Sequence, residues 1–206
     1  MYLSFIGMSG VGKSHWAKEL ASNGWLHLDC DAMIADRLGE IIKVHSDEDS
    51  VHAVGRWMGM PWDEGYASRE ARYLELEILT TNRAIDQLYM HTTDSVVLDT
   101  TGSVVYTDSD TLNKLKRKTR VVYFEALESV RDDMVQQYLH EPKPVLWQGG
   151  YEPRPGEPRL DALARCYTDL LRDRTQRYRE LADVVIDHHA VRQPGFTMDQ
   201  FLSLIT

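Results

Sequence analysis

Short apolar runs alternate along this chain with longer stretches in which apolar residues recur every three or four positions. Five runs read as strands, at residues 2–6, 25–28, 95–98, 120–124 and 183–186. Between them a 3.6-residue period predicts helices, the clearest over about 67–90 and about 161–182. This order predicts an α/β fold, a five-stranded parallel sheet with helices on both faces, because parallel neighbours need long right-handed crossovers. Strands that are apolar at nearly every position, such as Val96-Val97-Leu98, agree with burial on both sides.

Two segments break the rhythm. Residues 31–66 carry Trp57, Met58, Met60, Pro61 and Trp62 in an irregular context. They read either as part of an acceptor pocket or as large side chains packing over the core. With the following helix they make an inserted acceptor-binding segment at about 31–90. Residues 141–158 hold five of the seven prolines together with Gly149, Gly150 and Gly156, which excludes regular helix and central strand. Long loops inside compact domains are usually functional or disordered, so the segment reads as a mobile lid in preference to a passive surface loop.

Composition narrows the classes. With 206 residues, 43% of them hydrophobic, one domain spanning 1–206 can bury a substantial core. A formal charge of −9 argues against binding nucleic acid over the whole surface, which would need excess Lys and Arg. The basic run Lys114-Leu115-Lys116-Arg117-Lys118-Thr119-Arg120 reads instead as a solvated helix end, where cations suit the helix dipole. Cys30 and Cys166 make no disulfide framework or metal spacing and suit a reducing cytoplasm. No apolar stretch reaches the roughly 18 residues of a membrane span, and no leader is expected. A monomer or weak dimer, with neither nucleic acid nor membrane as partner, is the expectation.

The chemistry begins at Gly7-Met8-Ser9-Gly10-Val11-Gly12-Lys13-Ser14, a G-x-x-x-x-G-K-[ST] phosphate loop behind the first strand. Its glycines let successive backbone N–H groups turn around phosphate oxygens at a helix N-terminus. Lys13 adds a point charge for the β- and γ-phosphates, and the Ser14 hydroxyl can ligate Mg²⁺. The nucleotide-binding set is expected to be Gly7, Ser9, Gly10, Val11, Gly12, Lys13, Ser14 and His15.

Asp29 and Asp31 flank Cys30 at the end of the second strand, the sheet edge where ligands bind. Two carboxylates there can divide labour, one toward Mg²⁺ and one toward an acceptor hydroxyl, although Asp31 is also a plausible helix cap. Asp99 ends the third strand and is either a Walker-B-like candidate for the Mg²⁺ shell or a cap of the next turn. Leu163, Tyr167, Leu170, Arg174, Tyr178 and Leu181 share one face of the 161–182 helix, so an arginine interrupts an apolar stripe. It needs an anionic partner, an internal acid or a substrate carboxylate or phosphate. Arg72, with Glu75 three residues on, borders the apolar face of the 67–90 helix. His188 and His189 follow the last strand without further ligands at metal spacing.

These residues together resemble the shikimate kinase family of small P-loop kinases, which have an adenylate-kinase-like fold. Leu28-Asp29-Cys30-Asp31 is similar to the family's aspartate pair, which implies Asp29 near Mg²⁺ and Asp31 on the acceptor hydroxyl as base. Arg72 and Glu75 resemble the family's F-R-x-x-E pattern, and Arg174 and Tyr178 its R-x-P-x-Y-x-E-x-A-D pattern; both arginines would then hold a substrate carboxylate. Arg192-Gln193-Pro194-Gly195 is similar to the loop on the adenine, which adds Arg192 and Pro194 to the nucleotide site. Lys143-Pro144-Val145-Leu146 stands where the family's lid has R-P-L-L, so Lys143 would hold the developing charge.

Other positions depart from the family. Its glycine triplet after the third strand appears as Thr100-Thr101-Gly102, which puts Thr101 and Gly102 against substrate, with side chains projecting where bare backbone would approach the ring. Gln136 stands where a lid arginine covers the base. The resemblance implies an ATP- and Mg²⁺-dependent kinase acting on a hydroxyl of a small acidic metabolite, shikimate or a relative. A gluconate, nucleoside or nucleotide kinase, or a nucleotide-binding regulatory protein without phosphotransfer, are the alternatives. Asn113-Lys114-Leu115-Lys116 lacks the Asp of a guanine-reading N-K-x-D motif, which disfavours a GTPase.

Overall fold

The computed structural model describes residues 1–39, 42, 50–88, 90, 95–140 and 145–205. Strand β1 (Tyr2–Ile6) is buried from Leu3 onward and lies mid-sheet. Its one polar side chain, Ser4, is satisfied by a 2.7 Å hydrogen bond to the Thr119 hydroxyl. The other strands are β2 (Leu26–Asp29), β3 (Val96–Asp99), β4 (Arg120–Glu125) and β5 (Val184–Asp187). They form one parallel sheet in the order β2-β3-β1-β4-β5. Each sequence-predicted strand is found within one residue of its expected limits; the apolar runs of β1, β3 and β4 are covered on both faces, whereas the edge strands β2 and β5 are partly exposed.

Helices α1 (Lys13–Ser22), α2 (Cys30–Leu38), α3 (Ser50–Met58) and α4 (Tyr66–Gln87) occupy the first half of the chain. The second half holds α5 (Ser109–Lys118), α6 (Glu128–His140), α7 (Arg159–Leu181) and α8 (Met198–Ile205). Helix α5 is capped by Asp108, which accepts from Thr111 N at 2.7 Å, and its last turn carries Lys116, Arg117 and Lys118 in solvent. The basic run is therefore a helix end matched to its dipole. No helix among the described residues is long and apolar enough to cross a membrane.

Two apolar clusters result. The larger holds the sheet together with α1, α8 and the C-terminal half of α7, where Trp16 stacks on Phe201 at 4.2 Å. The smaller joins α2, α3, the start of α4, Val145–Trp147 and the N-terminal half of α7. Met58 is fully buried in it, with Trp57, Met60 and Trp62 packed against it. These large residues thus support the acceptor side from behind rather than line it, which follows from their apolar bulk.

Candidate active site

At the C-terminal edge of the sheet, β1 runs into the phosphate loop. Gly7 has φ 140°, and a Cβ there would stand 2.8 Å from the Phe124 carbonyl oxygen, so only glycine fits. Gly12, at φ 104°, opens α1 without a side-chain cap, leaving the first-turn N–H groups to an incoming anion. Lys13 is buried, and its Nζ donates to the Gly7 and Met8 carbonyls, each at 3.1 Å. Arg192 reaches back from the loop after β5 and donates to the Gly10 carbonyl at 2.6 Å.

The acids lie across the loop from these cations. Asp29, rather than Asp31, is the cap of α2: one of its oxygens accepts from Ala32 N at 2.9 Å. Losing such a cap costs about 1 kcal/mol. Asp31, two residues on in the first turn of α2, lines the cavity with Lys13. Burial pushes its pKa up to about 6; Lys13 pulls it down, and Asp29 and Asp99 push it further up. A carboxylate ionising there is tuned for proton acceptance near neutrality. Asp99 is in register with Asp29 on the neighbouring strand and is 4% exposed. Its Oδ1 has no hydrogen-bond partner and its Oδ2 lies 3.8 Å from His27 Nε2.

The opposite wall comes from α7. Leu163, Leu170, Arg174, Tyr178 and Leu181 are all buried on one face, as their spacing requires. Arg174, 6% exposed, donates from Nη2 to the Leu146 carbonyl at 3.1 Å and lies over the Tyr106 ring at 5.1 Å. Its Nε has no partner, and no carboxylate among the described residues is within ion-pair distance of it. Arg174, Asp31, Lys13 and Ser14 line the same cavity of about 490 Å³, with Tyr73, Tyr138 and Tyr167 as its aromatic sides.

Sequence reasoning missed the cavity-lining Tyr73, Ser103, Met134, Gln137, Tyr138 and Tyr167, and also Glu77, which lies behind the Thr101–Ser103 wall. Glu77 is fully buried on α4, accepting at Oε1 from the Ser103 hydroxyl at 2.8 Å and from Thr101. Burial pushes its pKa up to about 8, against hydrogen bonding from Ser103; Asp31 raises it further and Arg174 lowers it. Its signal was available, since an acid on the face of Tyr73, Leu76, Thr80 and Ala84 is the same anomaly as Arg174.

The Thr100-Thr101-Gly102 expectation is only partly met. Thr100 and Thr101 are buried, with hydroxyls turned inward to the Phe5 carbonyl at 2.7 Å and to Glu77, so neither projects into the cavity. Gly102 and Ser103 line it instead. A Cβ on Gly102 would come 3.4 Å from Ser9 N and 3.8 Å from Arg174 Nη1, and the Gly102 carbonyl accepts from Tyr178. Bare backbone is thus retained where the two loops and Arg174 converge.

Other expected residues do not meet at the cavity. Arg72 is half-exposed on the outer side of α4, paired with an exposed Glu75 at 3.1 Å, because the buried Tyr73 and Glu77 occupy the inner face. Val11 packs in the core, whereas Ser9, Gly10, Gly12, His15 and Arg192 line the cavity. Pro194 is exposed and outside the lining; Gln137 and Met134, not Gln136, face inward from α6. Lys143 lies outside the described residues.

The described part of the expected lid is anchored. Tyr66 donates to the Val145 carbonyl at 2.6 Å, Glu70 accepts from Gln148 N at 2.9 Å and from Trp147 N, and Arg165 grips Glu157 at 2.7 and 2.9 Å. Val145, Leu146 and Trp147 are buried, with Val145 in the cavity lining and the stretch held by Tyr66 and Glu70 from far away in sequence, whereas residues 148–158 lie mostly at the surface.

The sheet order and the phosphate loop at its centre define a P-loop small-molecule kinase fold of the shikimate kinase type. Three solved structures are similar over nearly the whole chain. The shikimate kinase from Acinetobacter baumannii in complex with shikimate shares 19% identity, with 98% of this chain and 88% of that chain covered and a TM-score of 0.56. Shikimate kinase from Bacteroides thetaiotaomicron shares 16% over 99% and 96% with a TM-score of 0.57, and that from Aquifex aeolicus 18% over 99% and 96% with 0.58. No protein-family model matches the chain, and no curated protein does.

Proposed function

We propose that this chain is an ATP-dependent kinase that phosphorylates a hydroxyl of a small acidic metabolite, with shikimate or a close relative as the leading acceptor and the cytoplasm as its place. The observation that carries this reading is the shared cavity, in which a phosphate loop faces Asp31 and an arginine without a carboxylate partner among the described residues. Gly10, Gly12 and Lys13 bind the phosphates, and the uncapped first turn of α1 adds its N–H groups. Ser14, Asp29 and the unpartnered Oδ1 of Asp99 fit a Mg²⁺ shell of oxygen donors. Bound there, Mg²⁺ would neutralise charge on the β- and γ-phosphates. Asp31 accepts the acceptor's hydroxyl proton, and Arg174 holds its carboxylate.

The proportion of cations favours a singly charged acceptor. Arg69 is committed to the Met58 and Glu64 carbonyls at 2.9 and 3.0 Å, and Arg72 faces outward, so on the acceptor side Arg174 is the arginine lining the cavity. A phosphorylated acceptor would call for more charge than one guanidinium provides.

The test is ADP release measured with and without a panel of hydroxy acids, gluconate and nucleosides. Acceptor-stimulated release with shikimate or a relative is expected, and Lys13→Ala should reduce it by at least about 100-fold, the scale of losing one electrostatic contact to the transition state. Affinity for ATP without stimulation by any acceptor would mean a binding protein rather than a kinase. The pH dependence provides a second check. Asp31 must be ionised to accept a proton, so kcat/KM should fall as pH drops through about 6. Asp31→Asn should remove that limb and lower kcat roughly 10²–10⁴-fold; a limb that persists in the variant would take the base role away from Asp31.

A further inference from the structure

His27, Asp29 and Asp99 bring three donor atoms within 4.8 Å of one another. The arrangement follows from the sheet. His27 and Asp29 are two residues apart on β2 and point to one face, and Asp99 is paired with Asp29 on parallel β3. Two observations set the cluster apart from a hydrogen-bonded ion pair. At 3.8 Å, His27 Nε2 and Asp99 Oδ2 are too far apart for a hydrogen bond, and both His27 Nε2 and Asp99 Oδ1 are buried with no hydrogen-bond partner. Asp99 itself is 4% exposed. Two carboxylates so close together repel unless a cation joins them, and buried polar atoms without a partner are costly. The 3.8 Å separation is close to the roughly 3.4 Å between ligands around a tetrahedral ion with bonds of about 2.1 Å.

We infer that His27, Asp29 and Asp99 form a binding site for a divalent transition-metal ion that does not require nucleotide. An imidazole nitrogen with two carboxylates suits Mn²⁺, Co²⁺ or Zn²⁺ better than Mg²⁺, which prefers oxygen and retains its water. The site shares Asp29 and Asp99 with the Mg²⁺ shell of the proposed function but does not depend on phosphotransfer. It would give the sheet edge a resident ion, and it would make the metal preference of this chain a property of His27.

The experiment uses the full chain, stripped with chelator and free of nucleotide. Isothermal titration with Mn²⁺, Zn²⁺ and Mg²⁺ should show one transition-metal site, at least about 100-fold tighter than any Mg²⁺ binding. Pulsed EPR of the Mn²⁺ form should show coupling to one imidazole nitrogen. His27→Phe should abolish that coupling and weaken binding by more than the roughly 10- to 100-fold typical of outer-shell changes; His27→Gln is the second variant should the first fail to fold. Lys13→Ala should bind the ion as the parent does while losing ATP, which separates this site from the kinase reading. Binding that appears only with ATP, an absent nitrogen coupling, or unchanged affinity in both His27 variants would overturn the assignment.

Discussion

Arg174→Ala is expected to lower kcat/KM for the acceptor by roughly 30- to several-thousand-fold, mainly through KM, with KM for ATP little changed. The range corresponds to the 2–5 kcal/mol typically lost when one member of a buried, hydrogen-bonded charge pair is removed. The structural ground is that Arg174 is buried without a carboxylate partner among the described residues, against the Leu146 carbonyl and Tyr106. On the proposed function, its charge is what meets the acceptor carboxylate in the cavity. Arg174→Lys should rescue little, because an ammonium cannot present the planar fork that a carboxylate fits. Initial rates across acceptor concentrations, alongside urea unfolding to exclude a folding defect, give the answer. Unchanged acceptor kinetics in a folded Arg174→Ala would remove the carboxylate assignment.

The second large effect concerns stability rather than rate. Glu77 ionises near pH 4.5 in the unfolded chain and near 8 in the fold. Between those values the folded protein holds a proton that the unfolded chain has released. Stability therefore falls as pH rises, by up to about 1.4 kcal/mol per unit from this group. Glu77→Gln keeps an acceptor for Ser103 and Thr101 and cannot ionise. The variant should match the parent near pH 4 and exceed it by a few kcal/mol at pH 8, read from urea unfolding at both values. Parallel pH profiles for the two proteins would show that Glu77 is not held protonated.

Both residues are polar groups on apolar helix faces, yet only Arg174 was visible beforehand. On α7 the stripe is otherwise apolar and aromatic, so the guanidinium stood out. On α4 the inner face also carries Thr80 and Thr81, both buried, which blurs the contrast around Glu77. Arg72 was misplaced for a related reason. Spacing put it next to the apolar face, but a helix turned by about 100° per residue gives the inward position to Tyr73, leaving Arg72 with Glu75 in solvent. The proline-rich segment shows a different limit. Its composition excluded regular structure, but the contacts that tie 145–158 down come from Tyr66, Glu70, Arg165 and Arg174, and local sequence carries no record of them.

By itself the sequence determined the parallel sheet, the position of the phosphate loop at the end of the first strand and the burial of Arg174. Each depends on short-range properties: apolar runs, glycine spacing at a turn, and helical period. Only the tertiary structure decided which side chains share the cavity, because that depends on strand order and helix rotation. It brought Asp99 beside Asp29 and His27 from about 70 residues away, since β2 pairs with β3 rather than with β1. It also turned Thr100 and Thr101 inward and left Gly102 bare against the phosphate loop. Burial of a hydroxyl demands a partner, and which partner is within reach is a fact of packing rather than of sequence.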